Sequence, residues 1–222
     1  MFSKFIGSTQ NLQKTNLTDL DIFRNIPYCE KTDEYNTDFH EIIKNLFLGG
    51  CMCPSGILQI KNNQYDDYQK YSDFDDVNNF LKELSTIIQA GPSKHFMLTE
   101  IQEYIDKKNF KEPNLIITYP PTDAPQQLFK IISKNPDKYL KNTILQIDDD
   151  LKNNKKVFVH CEGGIHRSAT IIAAYIMAKW KLSADEVQKY MGYIRPGTNN
   201  KINHIESKKF LLQHQNYLYN LL

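Results

Sequence analysis

Residues 157–181 read VFVHCEGGIHRSATIIAAYIMAKWK, and the fold class can be predicted from this segment. Residues 157–160 are mostly β-branched or aromatic, which predicts a short buried strand. Two adjacent glycines follow, and the run at 167–181 is apolar enough to predict a buried helix. A strand that passes through a glycine loop into a helix is the repeating unit of an α/β fold.

The flanking sequence continues this alternation of strands and helices. Apolar patterns bounded by turn residues predict strands at 45–48, 86–90 and 114–119 and helices at 76–84, 97–108, 135–153 and 204–221. Ser183 and Glu186 form a capping-box pattern that opens a further helix. The three aspartates at 148–150 are expected to form the solvated face of their helix. Together these elements predict an α/β fold with a central, mainly parallel sheet flanked by helices.

The whole chain has the composition of a globular protein. Its 222 residues fit one domain, placed at 41–222, with an N-terminal extension at 1–40 and an insertion at about 51–75. The net charge of +1 provides no global field to attract nucleic acid or a membrane surface. The longest apolar stretch, at 169–178, is too short for a membrane span. Neither a nucleic-acid partner nor a membrane span is therefore expected, and the oligomeric state is left open.

The cysteines indicate a reducing compartment. Four cysteines, at positions 29, 51, 53 and 161, are too few and too irregular for a disulfide framework, and the N-terminus lacks the pattern of a secretory signal. Cys51 and Cys53 lack the second ligand pair that a zinc site requires. We expect a cytoplasmic or otherwise intracellular protein with no metal and no other cofactor.

The loop at 160–168 has the chemistry of an anion site. Backbone N–H groups at a helix start point towards a bound anion, and the helix dipole adds partial positive charge. Gly163 and Gly164 allow the loop to curl tightly. Arg167 can hold two phosphate oxygens through its planar guanidinium. The loop therefore predicts phosphate binding.

Cys161 stands at the start of this loop, where the same environment acts on its thiol. A free thiol has a pKa of about 8.5, and a helix N-terminus or a nearby cation lowers it. The Cys161 thiolate would attack phosphorus, and Ser168 would hydrogen-bond the departing thiolate when the intermediate breaks down. His160 lies too early in the loop to touch phosphate and is expected to order the loop by hydrogen bonds.

Taken singly, these residues have ordinary structural explanations. A cysteine at a strand end is usually a small buried hydrophobic residue, and paired glycines usually mark a turn. Together they occur in the fixed order His, Cys, Gly, Gly, Arg and Ser between a predicted strand and a predicted helix. This combination favours a catalytic site over the structural explanations.

HCEGGIHRSAT at 160–170 resembles the HCxxGxxR[ST] signature of the cysteine-dependent protein tyrosine phosphatase superfamily, and its RSAT ending resembles the dual-specificity branch. Weaker similarity extends over about 40–220. The resemblance implies a protein tyrosine phosphatase-like fold, a dual-specificity phosphatase-like catalytic domain at 41–222 and a cysteinyl-phosphate intermediate. It also implies that the substrate phosphate is bound by Glu162, Gly163, Gly164, Ile165, His166 and Arg167.

Two loop residues depart from the family pattern. Gly163 stands where the family often has Ala, and His166 stands where it often has Ser or Gly. His166 is expected to contribute its backbone N–H while its ring faces outward, where it is either a spectator or a source of positive charge at mildly acidic pH.

The resemblance further implies a general acid, an aspartate on a loop before the cysteine, which would protonate the leaving oxygen. Asp123 is the candidate, although its separation from Cys161 of 38 positions (161 − 123) is longer than the family usually shows. Asp137 is the rival at 24 positions (161 − 137), but it falls in the first turn of a predicted helix, where Asp is favoured anyway. The structural alternative for Asp123 is an ordinary turn aspartate.

The predicted activity is metal-independent hydrolysis of phosphotyrosine and phosphoserine/threonine, so the expected partner is a phosphorylated protein. Phosphatases of phosphoinositides or RNA 5′-phosphates share the signature, but their loops often carry extra lysines and residues 162–166 contain none. A non-catalytic phospho-residue binding module would be expected if Cys161 or Arg167 were replaced, and neither is. Rhodanese-like enzymes lack the pattern of Gly164 with Arg167 and Ser168.

Overall fold

The computed structural model describes residues 39–50, 83–90, 115–120, 122, 124–161, 164–194 and 205–222. The strands in these ranges are β1 (Phe39–Ile43), β2 (Leu46–Gly50), β3 (Leu84–Gln89), β4 (Leu115–Thr118) and β5 (Lys156–Cys161). The helices are α1 (Pro125–Lys134), a π-helix (Asp137–Lys141), α2 (Asn142–Lys152), α3 (Arg167–Trp180), α4 (Ala184–Ile194) and α5 (Ile205–Tyr219).

The five strands form one sheet in the order β1-β2-β5-β3-β4, with β5 in the middle. β5 runs parallel to both its neighbours, β2 and β3, and β4 runs parallel to β3, whereas β1 pairs antiparallel with β2. Parallel strands are joined by crossover segments, which place helices over the faces of the sheet. The predicted α/β fold with a central, mainly parallel sheet is confirmed.

The two faces of the sheet carry different cores, because successive side chains of a strand point to opposite sides. Val157, Val159 and Cys161 of β5 belong to a large core to which all five α-helices contribute. Phe158 belongs to a second, smaller cluster with Phe47, Leu84 and Ile87. The alternation along β5 therefore directs Cys161 to the helix-covered side of the sheet.

Helix α3 follows the glycine loop and lies against β5. Its residues at 169–178 are at most 1% exposed, as expected for a helix that is apolar on all sides. The helix ends where Lys181 adopts a left-handed conformation with a φ of 57°. No helix within the described ranges has the length and apolar character needed to cross a membrane.

The single helix predicted at 135–153 is divided in the structure. It begins as the π-helix and continues as α2, and it is preceded by the separate helix α1. Helix α1 was not predicted, because Pro125 follows Pro120 and Pro121 closely and such a proline-rich stretch is typical of a loop. Proline is well accommodated in the first turn of a helix, and the apolar residues Leu128, Phe129 and Ile132 bury one face of α1. Helix α1 fills part of the long separation between Asp123 and Cys161.

The expectation of a solvated face at 148–150 is wrong for two of the three aspartates. Asp148 and Asp150 are 4% and 1% exposed, whereas Asp149 is exposed. Asp148 accepts hydrogen bonds from Lys179 Nζ at 2.6 Å and from the Tyr175 hydroxyl at 3.4 Å, both on α3. A carboxylate is tolerated in the interior when it is paired in this way, so Asp148 fastens α2 to α3.

Asp150 makes the corresponding connection between α2 and the sheet. Its carboxylate accepts hydrogen bonds from Thr86 Oγ1 of β3 at 2.6 Å, from Gln146 Nε2 at 3.1 Å and from Lys155 Nζ at 3.3 Å. The sequence pattern did not indicate this role, because Thr86 is 64 residues away along the chain.

The capping box before α4 is confirmed. The backbone N–H and the hydroxyl of Ser183 both donate to Glu186 Oε2 at 2.7 Å, and the Glu186 N–H donates to Ser183 Oγ at 3.3 Å. By contrast, Leu84 was predicted to end a helix and instead begins β3. Several predictions lie outside the described residues: most of the extension at 1–40, the insertion at 51–75, most of the helix at 76–84, the helix at 97–108, and Cys29, Cys51 and Cys53.

Candidate active site

Cys161 is the last residue of β5, and α3 begins six residues later at Arg167. The Cys161 side chain is 4% exposed, and the Ser168 hydroxyl donates a hydrogen bond to its sulfur at 3.1 Å. Ser168 itself is fully buried in the first turn of α3. The strand end and the helix start therefore hold the thiol and the hydroxyl in direct contact.

Opposing influences act on the acidity of Cys161. Burial is the largest of them and raises the pKa of the thiol, because a thiolate is poorly solvated in the interior. The Ser168 hydroxyl, the backbone N–H groups of Ser168 and Ile165, and the positive charge of Arg167 act together in the other direction. Their combined effect prevails, so the pKa of Cys161 lies below its ordinary value, which favours the nucleophilic thiolate.

Gly164 provides the turn that allows this loop to form. Its φ of 61° lies in the left-handed region, where a side chain would clash with the backbone. Ile165 follows, and its N–H points to the Cys161 sulfur. The prediction of a tightly curled loop is therefore met at Gly164, while Glu162 and Gly163 lie outside the described residues.

Arg167 connects the glycine loop to a distant part of the chain. Its side chain is 5% exposed, and its Nη1 donates to the backbone carbonyl of Thr122 at 3.2 Å. Asp123, the predicted acid, follows Thr122 directly in sequence, although its own placement lies outside the described residues. Thr122 was missed by sequence analysis because a backbone carbonyl carries no signature in the sequence.

His160 lies on the face of β5 opposite to Cys161. It is 3% exposed, and its ring stacks on that of Phe158 with a centroid separation of 5.4 Å. Nδ1 of His160 has no hydrogen-bond partner in the described part of the chain. Burial lowers its pKa to about 4, so the ring is neutral at physiological pH. The His160 carbonyl accepts a hydrogen bond from the Ala90 N–H at 2.7 Å, and the expectation that the side chain orders the loop by hydrogen bonds stays a prediction.

His166 immediately precedes α3. Its carbonyl accepts hydrogen bonds from the Thr170 hydroxyl at 2.7 Å and the Thr170 N–H at 2.9 Å. The side chain is half-buried and its Nδ1 is enclosed, and the expectation that the ring faces outward stays a prediction.

Asp137, the rival acid, has a different set of contacts. It is an exposed residue in the first turn of the π-helix, and its Oδ1 accepts a hydrogen bond from the Tyr217 hydroxyl of α5 at 2.7 Å. This contact joins two helices. It gives Asp137 a structural role without placing it beside Cys161.

Within the described part of the chain, no group of three or more His, Cys, Asp or Glu side chains is placed so that it could hold a metal ion. The donors that surround the Cys161 sulfur are a hydroxyl, backbone amides and a guanidinium. Such a set binds an anion rather than a cation.

Comparison with known proteins places this arrangement in a family. The sequence model of the dual specificity phosphatase catalytic domain matches residues 97–216, a range that contains β4, β5 and the whole loop between β5 and α3. The chain belongs to the dual specificity phosphatase family. Strands β1, β2 and β3 precede the matched range but share a sheet with β5, so the sheet of this chain extends beyond that range.

Curated relatives of this dual specificity phosphatase include proteins from a yeast and a virus. The Tyrosine-protein phosphatase CDC14 homolog of Schizosaccharomyces pombe is 24% identical over 172 residues, covering 64% of this chain and 30% of that protein. The 123R protein of Invertebrate iridescent virus 6, whose name marks it as a candidate tyrosine phosphatase, is 38% identical over 53 residues, covering 24% of this chain and 37% of that protein. The chain thus spans about a third of the length of these relatives.

Solved structures of similar fold include human DUSP28 and PTPMT1. Human DUSP28 has a TM-score of 0.51 at 14% identity, covering 85% of this chain and 99% of that structure. PTPMT1 in complex with PI(5)P has a TM-score of 0.54 at 15% identity, covering 82% of this chain and 97% of that structure. At these identities the likeness establishes the fold.

Proposed function

We propose that this protein hydrolyses phosphotyrosine and phosphoserine/threonine in proteins through a cysteinyl-phosphate intermediate. The observation that carries the proposal is the contact of Ser168 Oγ with Cys161 Sγ at 3.1 Å, in a loop that also directs two backbone N–H groups and the Arg167 charge at the sulfur. Hydrogen-bond donors gathered around a thiolate can stabilise the negative charge of a phosphoryl group during its transfer to and from the sulfur.

In the first step, the Cys161 thiolate attacks phosphorus, and the bond from phosphorus to the leaving oxygen breaks. Arg167 and the loop amides hold the equatorial phosphate oxygens, whose charge they are arranged to stabilise. Asp123 gives its proton to the leaving oxygen, which departs as a neutral alcohol or phenol. The hydrogen bond from Arg167 to the Thr122 carbonyl supports this role, because it brings the residue before Asp123 to the loop.

In the second step, water attacks the cysteinyl phosphate. The Asp123 carboxylate takes a proton from that water, the sulfur–phosphorus bond breaks and inorganic phosphate is released. The Cys161 sulfur leaves as a thiolate that accepts the hydrogen bond of Ser168. The cycle returns Asp123 to its protonated form and needs no redox or metal chemistry.

A phosphoinositide is the alternative substrate class, since a structure of similar fold is PTPMT1 in complex with PI(5)P. A phosphoinositide carries several phosphates, for which extra lysines in the loop are useful, and residues 162–166 contain none while Glu162 is acidic. The loop composition therefore favours a singly phosphorylated protein side chain.

A phosphate-release assay over matched panels of phosphopeptides and phosphoinositides tests the proposal. Wild-type protein should release phosphate from phosphopeptides without added metal and should be inhibited by vanadate. Cys161→Ser should abolish turnover while the protein still binds a phosphopeptide. Release from phosphoinositides alone would replace the proposed substrate class, and turnover by Cys161→Ser would refute the cysteinyl-phosphate mechanism.

A further inference from the structure

Tyr119 joins the sheet to the helical layer at the point where β4 ends. It is 1% exposed, and its backbone N–H donates to the Gln89 carbonyl of β3 at 2.9 Å. Its hydroxyl has two hydrogen-bond partners on the other side, Thr143 Oγ1 of α2 at 2.7 Å and the Tyr139 carbonyl of the π-helix at 3.1 Å. One residue is therefore fixed by its backbone to the sheet and by its side chain to two consecutive helical segments.

The hydroxyl of Tyr119 does more than fill space. A phenylalanine would occupy the same volume, and a buried hydroxyl is unfavourable unless it is hydrogen-bonded. Burial, opposed by the weaker effect of the Thr143 hydrogen bond, raises the pKa of Tyr119, so the phenol remains a proton donor at every physiological pH. Its two hydrogen-bond partners fix the direction of the ring, which also packs on the Tyr139 ring with centroids 5.9 Å apart.

The chain that leaves Tyr119 leads directly to the proposed acid. The intervening residues are Pro120, Pro121 and Thr122, and proline rings restrict φ to about −65°, which makes such a link stiff. At its far end the Thr122 carbonyl accepts the hydrogen bond from Arg167. The segment before Asp123 is thus held at both ends, by the Tyr119 hydroxyl and by the Arg167 guanidinium.

We propose that Tyr119 is a positioning residue for proton transfer, and that its hydroxyl fixes the segment that carries Asp123 relative to Cys161 and Arg167. This inference rests on the proposed function, because it requires Asp123 to protonate the leaving oxygen. Loss of the hydroxyl leaves the nucleophile and the phosphate loop intact and impairs the placement of the acid.

A series of aryl phosphates with leaving groups of rising pKa tests the role. Tyr119→Phe should lower kcat/KM for phenyl phosphate, whose phenolate is a poor leaving group that needs protonation, by about tenfold. The kcat/KM for 4-nitrophenyl phosphate should change by less than about twofold, since 4-nitrophenolate departs without a proton, and kcat/KM does not include the later hydrolysis step that both substrates share. A purely structural role for the hydroxyl would lower both rates alike.

Tyr190→Phe is the matched control. Tyr190 is also fully buried, and its hydroxyl donates to the Ile42 carbonyl at 2.6 Å, but it joins α4 to β1. This variant should show the same ratio of kcat/KM between the two substrates as the wild type.

Thr143→Val removes one of the two hydrogen-bond partners of the Tyr119 hydroxyl, and it should reproduce the selective loss of activity towards phenyl phosphate. The double variant Tyr119→Phe/Thr143→Val should lose little more activity towards phenyl phosphate than Tyr119→Phe alone.

Asp123→Asn separates this inference from the proposed function. If Asp123→Asn is selectively slow with phenyl phosphate and Tyr119→Phe is not, the positioning role is overturned and the proposed function stands. If Asp123→Asn shows no selectivity, the acid assignment and the positioning role fail together. If the Tyr119→Phe loss persists in the Asp123→Asn background, Tyr119 acts elsewhere and the inference is likewise overturned.

Discussion

The Ser168 hydroxyl donates to the Cys161 sulfur at 3.1 Å, which joins the last residue of β5 to the first turn of α3. Both residues are buried, so water does not compete for this hydrogen bond. The same contact that lowers the pKa of the nucleophile is available to stabilise it as a leaving group. Replacement of Ser168 should therefore affect both the formation and the breakdown of the intermediate.

Ser168→Ala should raise the pKa of Cys161, because it removes the leading influence that opposes burial. At a pH below that pKa the thiolate fraction should fall by about tenfold for each unit of increase. The pH dependence of alkylation by iodoacetamide measures this directly. Ser207→Ala, at a fully buried serine on α5, provides the control and should leave the profile unchanged. Identical profiles for wild type and Ser168→Ala would show that the hydroxyl does not tune the thiol.

Arg167→Lys should lower kcat/KM for 4-nitrophenyl phosphate by about a hundredfold, although the charge is retained. The guanidinium can hold two phosphate oxygens at once, whereas an ammonium is a point charge without the planar fork. Steady-state kinetics, with the unfolding temperature as a check on folding, measures the effect. A loss below about threefold would mean that charge alone is sufficient at this position.

The buried ring of His160 predicts a loss of stability in mild acid. Burial lowers its pKa from 6.5 to about 4, so below pH 6.5 the unfolded chain binds a proton that the folded protein does not accept until about pH 4. Between pH 6.5 and pH 5 this difference should reduce the free energy of unfolding by about 2 kcal/mol. Urea denaturation at pH 7 and pH 5 provides the measurement.

His160→Phe serves as the comparison, because it keeps an aromatic ring against Phe158 and removes the titrating group. Its free energy of unfolding should depend less on pH than that of the wild type over the same interval. The smaller dependence that remains is expected from His214, whose pKa is also lowered by burial. An equal loss in wild type and His160→Phe would contradict the prediction.

Asp150→Ala should destabilise the fold by about 3 kcal/mol, because it leaves Thr86 and Lys155 without their acceptor between α2 and β3. The neighbouring Asp149 is exposed, and Asp149→Ala should change stability by less than about 0.5 kcal/mol. Chemical denaturation of the two variants measures the contrast between adjacent carboxylates on one helix. Equal effects would mean that the contacts of Asp150 are energetically unimportant.

Short-range patterns in the sequence were sufficient to predict the strand and the helix that flank the glycine loop. The strand and helix on either side of the glycine loop were predicted within one or two residues of β5 and α3, because their apolar patterns are uninterrupted. The capping box at Ser183 was predicted equally well, because it depends on residues three positions apart. Helix α1 was missed because its first residue, Pro125, belongs to a run that also has the composition of a loop.

Local sequence was enough to predict the α/β class and the proximity of Cys161, Gly164, Arg167 and Ser168, because these residues lie within eight consecutive positions of a strand–loop–helix unit. The residues that surround this unit depend on long-range packing. That packing brought the Thr122 carbonyl to Arg167 across 45 residues, and Thr86 to Asp150 across 64. Such contacts depend on which strands become neighbours in the sheet, and that order is set by packing of the whole domain rather than by any local pattern.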